Sequence, residues 1–316
     1  MELSQHRVIG RFAGGNGGPL ILLTAGIHGN EPAGIYAIRR FFDFLHQQSS
    51  QNPAFSWQGS IVGLCGNLSA LRLNVRYVGA DLNRGWHRTL ADYIAVAESP
   101  QDLSVEEAER YQLAAAILEE VRLSAASSLI ILDLHTTSAG GAVFAVPGPD
   151  SLDFTMGLQA PVIKGLLDNL KGTFLEFVCS ADWGIPAQAA AFEGGQHDDP
   201  SSVDNCVQAI LHCCRFAGVS HAIGVKDSED AYVAICQPLE KMLEVRYRYH
   251  VDDAAEWQMH PGFVNFSVVV SGEKLATYRG EEVICPMDGY LLMPLYQRQG
   301  HDGFFIVGGL ASGIHL

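Results

Sequence analysis

The sequence alternates short apolar runs with amphipathic segments over its first two thirds, and this alternation limits the possible folds most strongly. Leu20 to Thr24 and Leu129 to Leu134 are mostly apolar runs with the length of a buried strand. Asn30-Glu31-Pro32 follows the first run, and the apolar periodicity of Ala33 to Phe44 predicts a helix that begins just after the strand. Strands and helices that alternate in this way predict an α/β sheet covered on both faces.

The same signals predict the remaining elements before residue 220. Strand patterns occupy Ser60 to Leu64, Gly141 to Val146, Thr173 to Val178 and Ala189 to Phe192. Helix patterns occupy much of Leu152 to Asn169, and Ser202 to Phe216 with Gly218 as the stop signal. Ser104 and Glu107 form a capping box, which predicts a further helix that ends near Arg122.

The pattern changes after about residue 225. Val245, Tyr247, Tyr249 and Val251 alternate with polar residues, which is the period of a half-buried strand. Further short strands, separated by turn signals, are predicted at Phe263 to Val270, Glu282 to Cys285, Tyr290 to Tyr296 and Phe304 to Val307. The sequence therefore predicts two domains, an α/β domain over residues 1–224 and a smaller antiparallel β domain over residues 225–316.

The composition excludes several classes of protein. Hydrophobic residues make up 48% and charged residues 17% of the 316 residues, which provides a large core and excludes intrinsic disorder. The formal net charge of −15 opposes binding to nucleic acid or to an anionic membrane. No apolar run is long enough to span a bilayer, and the polar N-terminus lacks a secretory core. The seven cysteines are odd in number and irregularly spaced, so we expect a soluble, cytoplasmic protein without disulfides.

Two predicted strand ends carry residues that can bind a metal. His28 and Glu31 lie in the turn between the first strand and its helix, and His135 ends the most apolar strand at the same edge of the sheet. Two imidazoles and a carboxylate are a three-ligand set typical of catalytic zinc, with water or substrate as the fourth ligand. The alternative is a loop histidine, a helix N-terminal charge and a strand-end core histidine, respectively.

Two further carboxylates could assist a metal at this edge. Asp133 lies two residues before His135, so both side chains point to the same side of the strand. Glu193 ends an apolar run and precedes two glycines. Beside a metal-activated water it would accept a proton and pass it to the leaving nitrogen. A structural anchor is the alternative for Glu193, and an ordinary loop residue is the favoured interpretation of His197.

Four arginines lie close together in this acidic chain, namely Arg72, Arg76, Arg84 and Arg88. Guanidinium groups pair bidentately with carboxylates, so the cluster predicts a site that captures a small anion. Surface or structural ion pairs are the alternative, chiefly for Arg72 and Arg88.

In these motifs the chain resembles the succinylglutamate desuccinylase/aspartoacylase family, a branch of the zinc carboxypeptidase-like hydrolases. The resemblance rests on Gly26-Ile27-His28-Gly29-Asn30-Glu31, on Arg76 followed by Asp81-Leu82-Asn83-Arg84, on Leu134-His135-Thr136-Thr137 and on Phe192-Glu193-Gly194. It covers roughly residues 20–200. It implies a mixed, mostly parallel α/β sheet flanked by helices, with a smaller C-terminal antiparallel β domain that covers the cleft.

The resemblance also implies roles for individual residues. It makes His28, Glu31 and His135 the ligands of one zinc ion per chain, and Glu193 the general base and acid. Arg76 would polarise the scissile carbonyl, and Asn83 and Arg84 would bind the substrate carboxylate. The chain also departs from the family, because aspartoacylases carry a further substrate-binding arginine shortly before the catalytic glutamate, whereas Ala181 to Ile185 contains no basic residue.

These observations predict a zinc-dependent amidohydrolase whose substrate is a small N-acyl amino acid with a free carboxylate. One alternative is a zinc carboxypeptidase that acts on peptides or cell-wall stems and uses the same metal site. Another is a non-catalytic protein that binds zinc or a small anion. The sequence leaves open whether the chain forms a homo-oligomer.

Overall fold

A computed structural model describes residues 6–97, 103–168, 170–220 and 239–309, together with Tyr232, Ala234 and Cys236. Fourteen strands lie in this described part of the chain. In chain order they are β1 (Val8–Ala13), β2 (Gly15–Ala25), β3 (Gln58–Cys65), β4 (Leu129–Thr137), β5 (Phe144–Pro147), β6 (Val162–Lys164), β7 (Ala187–Gln196), β8 (Met242–His250), β9 (Trp257–Met259), β10 (Ser267–Val269), β11 (Lys274–Tyr278), β12 (Glu281–Ile284), β13 (Gly289–Leu292) and β14 (Asp302–Gly309).

Eleven of these strands form one mixed sheet in the order β1-β3-β2-β4-β7-β5-β6-β8-β14-β13-β10. From β1 to β8 most neighbours are parallel, and the exceptions are β1 with β3 and β5 with β7. The carboxyl ends of β2 and β4 therefore meet at one edge of the sheet, which is where the predicted metal ligands lie.

Helices cover this sheet on both faces. The described α-helices are α1 (Ala33–Gln51), α2 (Leu68–Leu73), α3 (Leu90–Ala97), α4 (Val105–Leu123), α5 (Leu152–Gly157), α6 (Phe174–Ser180) and α7 (Ser201–Phe216). Side chains of β2 alternate between two hydrophobic cores, one shared with α1 and α7 and the other shared with α4 and α6. The α/β fold with a helix-flanked, mostly parallel sheet is thus confirmed.

The strands after residue 240 divide between two sheets. β8, β14, β13 and β10 extend the main sheet with antiparallel pairs, and β8 joins it through a parallel pair with β6. β12, β11 and β9 form a separate antiparallel sheet, which packs over its own apolar cluster around Trp257, Leu275 and Phe304. The predicted boundary between residues 224 and 225 lies outside the described residues.

Two segments differ from the sequence prediction. The stretch predicted as a strand at Thr173 to Val178 is the helix α6, and Thr173 begins it with a capping box to Glu176. The helix predicted across Leu152 to Asn169 ends at Gly157, and Val162–Lys164 is the strand β6, which pairs with β8. Pairing with a strand about eighty residues later along the chain overrides the local helical pattern here.

Within the described residues, no helix combines the length and the apolar character that a membrane-spanning segment needs.

Candidate active site

The turn between β2 and α1 brings His28 and Glu31 to the sheet edge. Gly26 has a φ of 70°, which lets the chain turn sharply after β2. Gly29 lies against α2 so closely that an added Cβ would be 2.1 Å from the carbonyl carbon of Ala70. Only glycine allows this backbone approach, and the turn then directs both His28 and Glu31 into the protein, where they are buried.

The neighbouring strands β4 and β7 supply the next two residues. His135 on β4 lies opposite Glu193 on β7 in the parallel register. His135 is 5% exposed and Glu193 is 8% exposed, so both polar side chains lie in a site with little access to water. The strand register therefore fixes an imidazole beside a carboxylate at the same edge as the β2–α1 turn.

The three predicted ligands come together as one compact group. His28, Glu31 and His135 each offer a donor atom, and these atoms all lie within 4.8 Å of one another. Nδ1 of His28 is 2.9 Å from Oε1 of Glu31, and Nδ1 of His135 is 3.0 Å from Oε2 of the same carboxylate. Two imidazole nitrogens and a carboxylate at one point form a donor set that zinc prefers.

The Nε2 atom of each imidazole, on the side away from Glu31, lies near a further carboxylate. Nε2 of His135 lies 2.8 Å from Oδ2 of Asp133, and Nε2 of His28 lies 3.2 Å from Oδ1 of Asp81. A metal-binding histidine usually donates its other ring N–H to such an acceptor, which fixes the tautomer and leaves the opposite nitrogen free for the metal. The arrangement therefore presents both Nδ1 atoms to one ion, and the residues fit a zinc ion.

Neighbouring charges outweigh the effect of burial on the ionisation of Glu31 and His135. Burial acts to raise the pKa of Glu31, but the adjacent imidazoles of His28 and His135 outweigh it and hold that pKa well below its ordinary value. Burial acts to lower the pKa of His135, but Asp133 and Glu31 outweigh it and raise that pKa well above its ordinary value. These shifts favour an ionised Glu31 and a protonated His135 when no metal is bound, and a metal that binds Nδ1 of His135 has to displace a proton from it.

The carboxyl group of Glu193 behaves differently. Burial raises the pKa of Glu193 to about 8, and the charge of Glu31 also raises it, whereas His135 and Arg76 act to lower it. Its Oε2 atom is buried and has no hydrogen-bond partner among the described residues. An unpartnered carboxyl oxygen beside a metal-binding group is suited to hold and transfer a proton, since nothing else occupies it.

A pocket opens in front of this group, and two of the four predicted arginines line it. Arg76 donates to Oδ2 of Asp81 through Nη2 at 3.1 Å, and its Nη1 atom lies 3.5 Å from Oε1 of Glu31. Arg84 lines the same pocket and is more exposed, since its side chain is 26% accessible against 13% for Arg76. Arg72 and Arg88 are exposed and are not among the residues that line this pocket.

Asn83 and His197 lie near the site, and their side chains make structural contacts. The side-chain oxygen of Asn83 accepts a hydrogen bond of 2.7 Å from the backbone N–H of Phe174, so it holds the first turn of α6. Asn83 is not among the residues that line the pocket. Nδ1 of His197 lies 2.8 Å from the hydroxyl of Thr136, the residue that follows His135 in the chain.

Several residues of the site were not predicted as such from the sequence. The sequence marks Asp81 only as part of the Asp81-Leu82-Asn83-Arg84 motif, although its side chain contacts both His28 and Arg76. Asp302 and Gln297 come from the end of the chain and line the same pocket. The spacing from Arg76 to Asp81 is a local signal that could have identified Asp81, whereas no local pattern relates residue 302 to residue 84.

Residues 17–160 match the model of the succinylglutamate desuccinylase/aspartoacylase catalytic domain. The chain is 34% identical over 149 residues to a probable aspartoacylase of Prochlorococcus marinus, a match that covers 46% of this chain and 43% of that protein. It is 31% identical over 167 residues to a succinylglutamate desuccinylase of Erwinia tasmaniensis, covering 50% of this chain and 46% of the relative. The matches thus span less than half the length of these curated relatives.

Solved structures show the same fold over most of the chain. A succinylglutamate desuccinylase/aspartoacylase from Rhodobacter sphaeroides superposes with a TM-score of 0.62 at 17% identity, covering 93% of this chain and 87% of that one. The succinylglutamate desuccinylase from Chromobacterium violaceum superposes with a TM-score of 0.58 at 19% identity, covering 94% and 87% of the two chains. Residues 17–160 are thus similar in sequence to the catalytic domain of the succinylglutamate desuccinylase/aspartoacylase family, and the chain as a whole shares the fold of these solved structures.

Proposed function

We propose that this protein is a zinc-dependent amidohydrolase that cleaves the amide bond of a small N-acyl amino acid. The observation that carries the proposal is the buried His28–Glu31–His135 group with the unpartnered carboxyl oxygen of Glu193 beside the same pocket. The aspartoacylase and succinylglutamate desuccinylase relatives support this class of reaction.

His28, Glu31 and His135 would hold one zinc ion, and Asp133 and Asp81 would orient the two imidazoles. When bound, zinc supplies a Lewis acid that polarises a carbonyl group and lowers the pKa of a water molecule. The protein then has to position the amide and move the protons.

Glu193 is the residue we assign to proton transfer. Its carboxylate would accept a proton from the attacking water and later donate it to the departing amine, so one group serves both half-reactions. Arg76 would stabilise the negative charge that develops on the carbonyl oxygen, since its guanidinium lines the pocket beside Glu31. Arg84, which is more exposed, would bind the carboxylate of the amino acid.

The segment before β14 favours a small substrate, because it limits the width of the pocket. The side-chain oxygen of Gln297 accepts a hydrogen bond of 2.8 Å from Asn30, and that of Gln299 accepts one of 3.1 Å from the backbone N–H of Arg76. These contacts hold the segment before β14 against the metal-binding turn and narrow the pocket. A narrow pocket favours an N-acyl amino acid over an extended peptide.

Two expectations from the sequence remain part of this proposal. One is the division into a catalytic domain over residues 1–224 and a β-rich domain over residues 225–316 that covers the cleft. The other is a cytoplasmic location, which the odd number and irregular spacing of the seven cysteines favour.

A hydrolysis screen tests the proposed function. The zinc-loaded protein is incubated with N-acetyl, N-succinyl and N-formyl amino acids and with dipeptides, and the released amine is measured. We expect release from at least one N-acyl amino acid and loss of that activity in His135→Ala. Preferential hydrolysis of dipeptides would indicate a carboxypeptidase. Stoichiometric zinc binding without any turnover would indicate a non-catalytic binding protein.

A further inference from the structure

The outer wall of the pocket carries a carboxylate that the proposed reaction does not use. Asp302 begins β14, lines the pocket together with His28, Glu31 and Glu193, and has a side chain that is 15% exposed. Its Oδ1 atom accepts a hydrogen bond of 2.6 Å from Nε of Arg248. Its Oδ2 atom accepts one of 3.3 Å from Arg84, the arginine assigned to the substrate carboxylate.

We propose that Asp302 restricts the pocket to N-acyl amino acids that carry a single carboxylate and an otherwise apolar structure. The inference rests on the function proposed above and specifies the substrate class for the same site.

The first argument is the balance of charge in the pocket. Of the described residues that line it, Arg76 and Arg84 are the two arginines, and there is no lysine. Arg76 already contacts Asp81 and Glu31. Arg84 is therefore the arginine that is placed for a substrate carboxylate, and Asp302 already takes one of its N–H groups.

A second substrate carboxylate would meet an unfavourable environment. It would enter a partly desolvated pocket in which Arg84 is already paired and Asp302 adds negative charge. A charged group that loses water without gaining a partner is strongly disfavoured, and repulsion against the wrong ligand is a common source of specificity. The loop before β14 also brings His301 to the pocket. Nδ1 of His301 lies 3.4 Å from the carbonyl oxygen of Val251.

The second argument is the apolar part of the remaining wall, since the hydroxyl groups of Thr136, Thr137 and Ser138 that also line the pocket already pair with His197 and with two backbone carbonyl oxygens. This apolar part is formed by aliphatic and aromatic side chains from two parts of the chain, namely Leu166, Leu170, Met293, Leu295 and Phe305. Such a surface gains free energy by covering an apolar side chain or acyl group, and it offers no hydrogen bond to a second carboxylate.

A substrate ammonium group is the alternative partner of Asp302. The geometry disfavours it, because both oxygens of this carboxylate already accept hydrogen bonds, Oδ1 from Arg248 and Oδ2 from Arg84. An ammonium ion next to Oδ2 would approach the charge of Arg84.

The test compares four probes that differ in charge. The zinc-loaded protein is assayed with N-acetyl-L-leucine, N-acetyl-L-aspartate, N-acetyl-L-asparagine and Nα-acetyl-L-lysine. Asparagine matches aspartate in shape without the second charge. We expect kcat/KM for the leucine compound to exceed that for aspartate at least tenfold, and the asparagine compound to be hydrolysed faster than the aspartate compound.

The variant D302N should bring kcat/KM for the aspartate probe close to kcat/KM for the asparagine probe, because the pocket loses a negative charge and Arg84 loses its carboxylate partner. E282Q is the matched control. Glu282 is an exposed residue of β12 that pairs with Lys274, so this variant changes the net charge equally without touching the pocket. D302A serves as a second variant if D302N does not fold.

Distinct results would overturn the inference. An active protein that hydrolyses aspartate as well as asparagine, a preference for the lysine compound, or an unchanged ratio in D302N would each contradict the role of Asp302. If none of these N-acetyl probes is turned over, the wider acyl screen described above decides the proposed function, and calorimetric titration with N-acetyl-L-leucine and N-acetyl-L-aspartate decides the charge selectivity by binding alone. Equal or absent binding of both would overturn it.

Discussion

Asp133 and His135 form a buried pair on strand β4, in which Oδ2 of the carboxylate lies 2.8 Å from Nε2 of the imidazole. The other oxygen of Asp133 accepts a hydrogen bond of 2.7 Å from the hydroxyl of Thr24 on the neighbouring strand. The carboxylate is therefore fixed on both sides, and it directs Nδ1 of His135 towards Glu31 and the predicted metal position.

Asp133→Asn should weaken zinc binding by about 10- to 100-fold. If the amide oxygen keeps the hydrogen bond from Thr24, the amide NH2 faces Nε2 of His135 and favours the tautomer with its proton on Nδ1, which is the atom needed for the metal. Zinc affinity is measured by competition with a chromophoric chelator. Asp204→Asn is the control, because Asp204 has a half-exposed side chain that pairs with Arg40. An unchanged affinity in Asp133→Asn would show that this pair does not orient the ligand.

Glu193→Gln should lower kcat by about 10²- to 10⁴-fold, the range typical of a general acid–base group. Glutamine keeps the size of the side chain but cannot take up a proton. Zinc content should stay at one per chain, because His28, Glu31 and His135 are unchanged, and elemental analysis checks this. Loss of zinc would instead make Glu193 a ligand, and a normal kcat with zinc retained would make it structural.

The position of Glu193 also predicts how the stability of the metal-free protein depends on pH. Burial raises the pKa of Glu193 from 4.5 to about 8. Between these pH values the folded protein keeps a proton that the unfolded chain has lost, so the free energy of unfolding falls as pH rises, by up to about 1.4 kcal/mol per pH unit from this group.

Glu193→Gln removes this slope, because the amide has no proton to lose. The free energy of unfolding of the variant, minus that of the wild type, should therefore increase steadily across this pH window. Urea denaturation of chelator-treated protein at several pH values measures the difference. A constant difference would mean that Glu193 ionises near its ordinary pKa in the folded protein.

Much of the metal-binding group could be predicted from the sequence, because its members lie at strand ends. His28 follows β2, and His135 lies two residues before the end of β4. Parallel pairing of these two strands therefore brings both histidines to one edge of the sheet. This required only the recognition of two apolar runs and the rule that parallel strands end together. Glu193 follows from the same logic, since β7 pairs with β4.

Contacts between distant parts of the chain could not be predicted in this way. Asp302 reaches Arg84 because β14 pairs with β8, and β8 joins the main sheet beside β6. The short strand β6 was itself hidden in a helical pattern. Where an element owes its conformation to a distant partner, its local sequence carries little information about it.

The error at Thr173 to Val178 had a different cause. The segment is apolar enough to resemble a buried strand, but Thr173 and Glu176 have the spacing of a capping box, and the structure contains that box. The capping-box spacing of Thr173 and Glu176 indicates a helix, whereas the apolar residues between Thr173 and Val178 favour a strand, and the structure follows the capping box.

Arg84→Ala should raise KM by about 10- to 100-fold for an N-acyl amino acid with a free carboxylate, because a hydrogen-bonded charge pair contributes about 1.5–3 kcal/mol. The matching substrate with an amidated carboxylate should be affected much less. Arg84→Lys should restore only part of the binding, since an ammonium group lacks the planar fork of guanidinium. Equal losses on both substrates would mean that Arg84 acts through the packing of the pocket.

The last prediction concerns Gly29, whose backbone lies against α2. An added Cβ would be 2.1 Å from the carbonyl carbon and 2.4 Å from the carbonyl oxygen of Ala70, and 2.3 Å from the backbone nitrogen of Leu71. Backbone atoms cannot move aside as a flexible side chain can, so Gly29→Ala has to displace the turn that carries His28 and Glu31. Overpacking of this kind costs about 1–3 kcal/mol, and the displaced ligands should also bind zinc more weakly.

Denaturant unfolding and zinc titration of Gly29→Ala measure the two effects separately. Gly15→Ala is the matched control, because the Cβ added there meets only the carbonyl oxygen of Trp57, at 3.9 Å. Both variants add one methyl group near β2, but only the first is expected to alter the metal site. Loss of stability with normal zinc affinity would show that the turn shifts as a unit without separating its ligands. Normal stability and affinity together would show that α2 moves aside at little cost, so that the close approach at Gly29 does not position the site.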